Sequence, residues 1–193
     1  PMRYPKTYSI LLETATRLFR ASGYSAVSIG EILQESGLSR SSLYHFFPNG
    51  KEELGAAVLR NIHRESTQRI ERYFGQGQDP VREICTYFAD RAREIESGGR
   101  NVSVNMLMME MAEVSPALHE QVVGIMESLN SYFYREVESC GFPEELTCEL
   151  ASTVLSMSLG AQNYCSISGS STLLRSLVQQ IPKLFAANGY EAG

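Results

Sequence analysis

The sequence is poor in the residue patterns that carry catalysis or hold metals. Its four cysteines, Cys85, Cys140, Cys148 and Cys165, form no Cys-x-x-Cys pair, and its three histidines, His45, His63 and His119, are scattered. That spacing points to reduced thiols in a cytosolic protein, with no metal site, no redox motif and no disulfide framework. The Glu-x-x-His motif of metal-binding bundles is absent: Glu110 and Glu113 have no histidine at that spacing, and His119-Glu120 lacks the second histidine of His-Glu-x-x-His. There is no nucleophile elbow, Walker loop or dinucleotide fingerprint. A helical enzyme is therefore disfavoured, and no cofactor is expected. No apolar run approaches the roughly 20 residues that span a bilayer. The start is polar and basic, unlike a secretory signal, so the expected location is cytoplasmic, without membrane association. Alternating strand patterns, internal repeats and low-complexity tracts are missing too.

What remains is helical periodicity almost throughout. A first helix fits Thr7 to Ala21, with Ile10, Leu11, Ala15, Leu18 and Phe19 as its buried stripe, and Gly23 closes it. A long helix fits Glu52 to Phe74, ended by the breaker cluster Gly75-Gln76-Gly77-Gln78-Asp79-Pro80. Asp79-Pro80 and Ser115-Pro116 each read as an N-cap followed by a proline at the first helical position. Helices are expected from there to about Glu96 and Ser139, with others over Val102 to Val114, Glu144 to Ser166 and Ser171 to Ala187. Pro182 should kink the last or mark its final turns. The expected fold is all-α, about nine helices. Three lie in an N-terminal head over residues 1–54, helix 52–74 connects, and a helical body occupies residues 75–193. Charge follows the same division. Residues 1–51 hold six basic residues against three acidic, a balance of +3, and the rest hold 11 against 19, a balance of −8. A basic head on an acidic body suits a protein that docks a polyanion with one end.

The densest signal lies in residues 28–54. Ile29, Ile32 and Leu33 share one helical face, Gly37 breaks the pattern, Leu38 follows as a plug, and Ser39 opens a second short helix carrying Leu43, Tyr44, Phe46 and Phe47. A helix, a glycine-containing turn and a second helix make a helix-turn-helix, whose second helix can lie in the DNA major groove. Ser28 with Glu31 is a capping box, and Ser39 is a good N-cap. Arg40, Ser41 and Ser42 then sit at the positive end of a helix dipole, where phosphates bind. Tyr44, His45 and Lys51 can reach the phosphate backbone, whereas Phe47 pairs with Leu43 towards the core. Gly30, inside the first helix of the unit, costs about 1 kcal/mol against alanine, so that helix depends on tertiary support.

Residues 9–54 resemble the DNA-binding domain of TetR-family transcriptional repressors, through Ala15, Leu18, Phe19, Gly23, Tyr24, Ser28, Ile32, Gly37, Ser39, Leu43, Tyr44, Phe46, Phe47, Lys51, Glu52 and Leu54. The turn Pro48-Asn49-Gly50-Lys51 is one residue longer than the commoner Pro-x-Lys form, and is similar to the branch that includes the lincomycin-resistance repressor. The resemblance implies phosphate and base contacts from Ser28, Ser39, Arg40, Ser41, Tyr44, His45 and Lys51 on double-stranded operator DNA. It also implies a homodimer formed by the last two helices, where Leu155, Leu159, Leu173, Leu177 and Ile181 are the expected interface. The methionine-rich run Met106, Leu107, Met108, Met109, Met111 is apolar on more than one face, which suits either core packing or a pocket wall. A small apolar or aromatic effector is expected to meet Tyr87, Phe88, Met106, Met109, Met126, Phe133 and Gln162. The alternative is a ligand sensor that no longer binds DNA.

Overall fold

A computed structural model of the chain describes residues 5–97 and 104–191. Among them are nine helices: α1 Lys6–Ser22, α2 Ile29–Ser36, α3 Arg40–Phe46, α4 Lys51–Ile70, α5 Pro80–Ser97, α6 Val104–Ala112, α7 Pro116–Glu138, α8 Glu144–Ser168 and α9 Thr172–Ala187. No strand occurs among the described residues. The expected boundaries hold closely, with two helices ending early: α4 at Ile70 rather than Phe74, and α6 at Ala112 rather than Val114. The last turn of α4 tightens, with Tyr73 N–H donating to the Ile70 carbonyl (2.9 Å), before Gly75 turns the chain at φ 72°. Residues 102 and 103, expected in the sixth helix, lie outside the described residues. The proline-started helices are capped as their sequences imply. Asp79 Oδ1 accepts from Arg82 N (2.8 Å), and Ser115 Oγ accepts from Leu118 N (3.3 Å). α9 runs unbroken past Pro182.

The chain divides into two compact units, one within Pro1–Arg64 and Asn101–Gly124, the other within Glu65–Arg100 and Ile125–Gly193. This differs from a division at residues 54 and 75. α6 and the first turns of α7 belong with the N-terminal helices, and α4 and α7 each supply residues to both units. In the first unit α1 packs on α2, α3 and α6. Its core is Leu11, Ala15, Phe19, Ile32, Leu43, Phe47, Leu54 and Val58, all buried. Leu38, expected as a plug, is only half-buried. In the second unit α5, α8 and α9 pack together, burying Ile84, Phe88, Leu150, Val154, Leu174, Ile181 and Phe185.

Candidate nucleic-acid interface

Capping fixes the two short helices of the reading unit. Ser28 Oγ accepts from Glu31 N (3.2 Å), while Glu31 Oε2 accepts from Ser28 N (2.7 Å). The reciprocal pair satisfies two backbone donors at the start of α2. Those hydrogen bonds from Ser28, with a smaller contribution from Lys51, outweigh slight desolvation and hold the Glu31 pKa below the ordinary carboxylate value. Gly37 ends α2 in the left-handed conformation, φ 66° and ψ 20°, which glycine adopts without steric cost. Ser39 then starts α3, its Oγ accepting from Ser42 N (3.1 Å) and lying 2.9 Å from Ser42 Oγ.

α3 is divided lengthwise by burial. Leu43, and Phe47 just past its end, are core, and Tyr8 of α1 stacks on Phe47 with ring centres 5.2 Å apart. Ser39, Arg40, Ser41, Tyr44 and His45 are exposed and Ser42 is half-exposed, as is Ser28 exposed at the start of α2. Short hydroxyl side chains beside one arginine, at the N-terminus of a helix, supply donors for phosphate and a fork for a base edge. The turn after α3 is shaped by Gly50, at φ 64°, where a Cβ would lie 3.3 Å from Tyr44 Cε1 and 3.5 Å from Ile29 Cδ1. Tyr44 therefore lies against the turn where a side chain at residue 50 would otherwise stand. Asn49 N–H donates to Glu53 (3.0 Å), closing the entry to α4.

Lys51 stands apart from this exposed set. It is half-buried, with Nζ 4.4 Å from the centre of the Tyr24 ring and donating to the Ser25 carbonyl (3.3 Å). Burial lowers its pKa, opposed by the carboxylates of Glu110 and Glu31. Sequence reasoning missed Glu110 as a member of this cluster. Its carboxylate accepts from two successive backbone N–H groups, Tyr24 (2.8 Å) and Ser25 (2.7 Å). Burial would raise the Glu110 pKa, but the bonds from Ser25 and Tyr24 and the charge of Lys51 outweigh it and hold it below the ordinary value. Tyr24 is pushed up to about 12, by burial first and then by Glu52 and Glu110. One signal was present in the sequence: Gly55 in the second turn of a helix marks a close approach, and a Cβ there would lie 2.8 Å from Tyr24 Cε2 and 3.1 Å from the Met111 methyl.

The residues expected around an effector fall in both units, Met106 and Met109 in the first, and Tyr87, Phe88, Met126, Phe133 and Gln162 in the second. α6 is two-faced: Leu107, Met108 and Met111 are core, while Met106 is 40% and Met109 65% exposed. Tyr87, Phe88 and Phe133 form a buried aromatic cluster with Phe74, with Phe74 and Phe133 edge to face at 5.2 Å. Met126 is half-buried. Gln162 accepts from Arg91 (3.3 Å) and donates to Ser158 (2.8 Å). The second unit also has a cavity of about 580 Å³, lined by none of the residues expected around an effector though Phe74 of the aromatic cluster reaches it; Phe74, Pro80, Tyr132 and Arg135 wall it beside Glu83 and Glu136. Those two glutamates are 4% and 5% exposed. Glu83 accepts from Gln76 N (3.1 Å) and Gln78 N (2.9 Å), and Glu136 from Gly75 N (3.1 Å), so the pair anchors the loop between α4 and α5. Burial, then the hydrogen bond and charge of Glu83, push Glu136 up to about 8.

Of the residues expected at a dimer face, Leu155, Leu159 and Leu177 are half-buried and Leu173 is exposed. Ile181 is corrected: it is fully buried within the chain itself, so it has no surface to offer a second copy. Met157, which the sequence also put on the apolar surface of this helix pair, is exposed, and Tyr164 and Ile167, which the sequence reading left out, continue its face of α8.

A capped helix-turn-helix with an exposed N-terminal face, carried on an all-helical chain, defines a helix-turn-helix transcriptional regulator, and comparison with known proteins gives its family. Residues 11–58 match the model for bacterial regulatory proteins of the tetR family, and residues 80–180 match that for the C-terminal domain of LmrA/YxaF-like transcriptional regulators. The HTH-type transcriptional regulator YxaF of Bacillus subtilis (strain 168) is 31% identical over 93% of this chain and 95% of its own length. LmrA of the same organism is 25% identical over 95% of this chain and 98% of its own. Two solved structures share the fold, each with a TM-score of 0.81: a TetR transcriptional regulator from Legionella pneumophila (19% identity, 95% of this chain and 99% of that one) and the reduced form of E. coli NemR (20% identity, 92% and 95%). The chain belongs to the TetR family of transcriptional regulators. Its relatives are regulators and not enzymes, and no helix among the described residues is long and apolar enough to cross a membrane.

Proposed function

We propose that this chain is a ligand-responsive repressor that binds a palindromic operator as a homodimer. The observation that carries the reading is the lengthwise division of α3, with Leu43 and Phe47 locked in the core and Arg40, Ser41, Tyr44 and His45 turned outward from a Ser39 cap. α3 enters the major groove, where Arg40 reads a base edge and Ser39, Ser41 and Ser42 add short donors. Ser28, Tyr44 and His45 contact phosphates, and the charge of Lys51 adds to the field at the foot of α2. The two heads meet half-sites about one helical turn apart, roughly 34–36 Å. Pairing runs through α8 and α9, supported by the exposed row Met157, Tyr164, Ile167 and Leu173 flanked by the half-buried Leu155, Leu159 and Leu177. A small apolar or aromatic effector taken up by the helical body releases the DNA, by binding the released form more tightly than the bound one. The protein works in the cytoplasm, where its operator lies.

Selection from a random-sequence duplex library tests the core of this reading. The chain should enrich an inverted repeat, and its affinity should fall steeply with salt as released counterions dictate. Sedimentation of the complex should give two chains per repeat. A chain that enriches no duplex under low salt refutes the repressor reading and leaves the ligand sensor.

A further inference from the structure

We propose that Glu110 is a positioning residue for DNA binding: from α6 it grips the loop between α1 and α2 and thereby sets Lys51 and the start of α2 for the duplex. The inference rests on the DNA-binding reading above. Its first support is the two-pronged contact itself. One carboxylate receives the successive N–H groups of Tyr24 (2.8 Å) and Ser25 (2.7 Å), a backbone nest closed by an anion, and such charge-assisted bonds are the strong ones. The loop is built for it. Gly23 turns at φ 87°, and a Cβ there would lie 2.9 Å from Glu110 Oε2.

The second support is what the same two loop residues do on their other side. The Ser25 carbonyl accepts from Lys51 Nζ (3.3 Å), and the Tyr24 ring lies 4.4 Å from that ammonium. Gly55 of α4 leaves room for the ring and for the methyl of Met111, next to Glu110 on α6: a Cβ there would lie 2.8 Å from Tyr24 Cε2 and 3.1 Å from that methyl. Lys51 in turn acts on Glu31, the carboxylate of the α2 capping box. Contact thus runs from α6 through Tyr24 and Ser25 to Lys51, whose charge also acts on Glu31 of the α2 capping box, and the chain itself leads from Ser25 to the Ser28 cap three residues on. Glu110 holds the loop whose Ser25 carbonyl and Tyr24 ring seat the Lys51 ammonium.

The test uses the full chain and the duplex that the wild type selects. Glu110→Gln keeps the shape and one acceptor oxygen but loses the charge. Its affinity for that duplex should fall about tenfold, while hydrogen exchange at the Tyr24 and Ser25 amides quickens. A purely structural residue would not make the next result. Lys51→Met should also weaken binding, and the double variant should bind no worse than Lys51→Met alone, because Glu110 acts through Lys51. Glu110→Asp, a carboxylate one methylene shorter, should recover part of the loss, and it carries the same cycle if Glu110→Gln does not fold. Native affinity in the Glu110 variants, or losses that add in the double variant, overturns the inference while DNA binding stands. A wild type that enriches no duplex overturns both.

Discussion

Glu136 makes the stability of the second unit depend on pH across a range where few carboxylates titrate. Its folded pKa is about 8, against an ordinary 4.5, because it is buried beside Glu83. The direction of the effect follows from linkage. A raised folded pKa means that the folded state holds the proton more tightly, so the associated stability is complete below about 4.5 and lost as pH rises through 8. Each pH unit between those values removes up to about 1 kcal/mol, a total on the order of a few kcal/mol, which is a large part of the roughly 5–15 kcal/mol that holds a domain folded. Glu136→Gln has no proton to lose. Its amide oxygen can still accept from Gly75 N, and its amide N–H can donate to Glu83. Urea unfolding of both proteins at pH 5, 6, 7 and 8 should show a falling wild-type stability and a nearly flat variant. The two should be similar at pH 5, and the variant should be more stable by on the order of 2 kcal/mol at pH 8. The comparison cancels the titrating groups that do not interact with Glu136. Equal slopes in the two proteins would refute the account in which burial beside Glu83 keeps Glu136 protonated.

Other outcomes follow from single contacts. Ser39→Ala should cost about 1 kcal/mol and weaken DNA binding, since Ser42 N loses its acceptor at the start of a seven-residue helix; thermal melting and a mobility-shift assay check it. Gly30→Ala should stabilise by up to about 1 kcal/mol, because the position is exposed and its Cβ would meet only Ser28 Oγ, at 3.6 Å; no gain in melting temperature would mean the glycine serves the backbone of α2. Arg40→Ala should relax preference at one base position per half-site, whereas Tyr44→Phe should weaken all sequences alike; repeat library selection separates them. Charged substitution at Leu159 or Leu177 should give monomers with weakened operator affinity, because a single head makes too few contacts; sedimentation beside binding tests it, and a monomer with native affinity would sink the dimer proposal.

What the sequence made legible was the chemistry that acts within a few residues. Ser28 with Glu31, Ser39 with Ser42, Gly37, and the Asp79 and Ser115 caps all appear as their spacing implies, because each bond closes within three positions. Burial on amphipathic helices was legible for the same reason: Leu43 and Phe47 turn inward together. Three features were not. Ile181 falls on the same leucine stripe as Leu177 and Leu173, and periodicity cannot say how far round the helix the subunit's own core reaches; α9 buries Ile181 and leaves Leu173 exposed. Glu83 and Glu136 read as ordinary charges on amphipathic helices, since nothing local says that a glycine-rich loop will aim its N–H groups at both.

The third is the placement of α6, which bears on how such a chain could be regulated. Its methionines suited core packing as well as a pocket wall, and its place after the breaker near residue 98 put it in the body. Packing instead joins it to the N-terminal unit, through Leu107, Met108 and Met111 in the core and Glu110 on the loop after α1. The two glycines that receive it, Gly23 and Gly55, lie far from it in sequence, and each is a site where a Cβ would come within 3.0 Å of a side chain at this junction. Close fits of that kind hold a single arrangement, because a displaced α6 would leave the Tyr24 and Ser25 amides without their acceptor and the Lys51 ammonium with less compensating charge. The helix that sequence assigned to sensing is thus built into the unit proposed to read DNA. Met109, its most exposed apolar residue, lies next to Glu110 on the chain. If an effector engages Met109, the loop amides should report it first. Titrating candidate aromatic compounds while following hydrogen exchange at Tyr24 and Ser25 should show their protection falling in step with operator release. Release without any change at those amides would place the route from effector to DNA elsewhere.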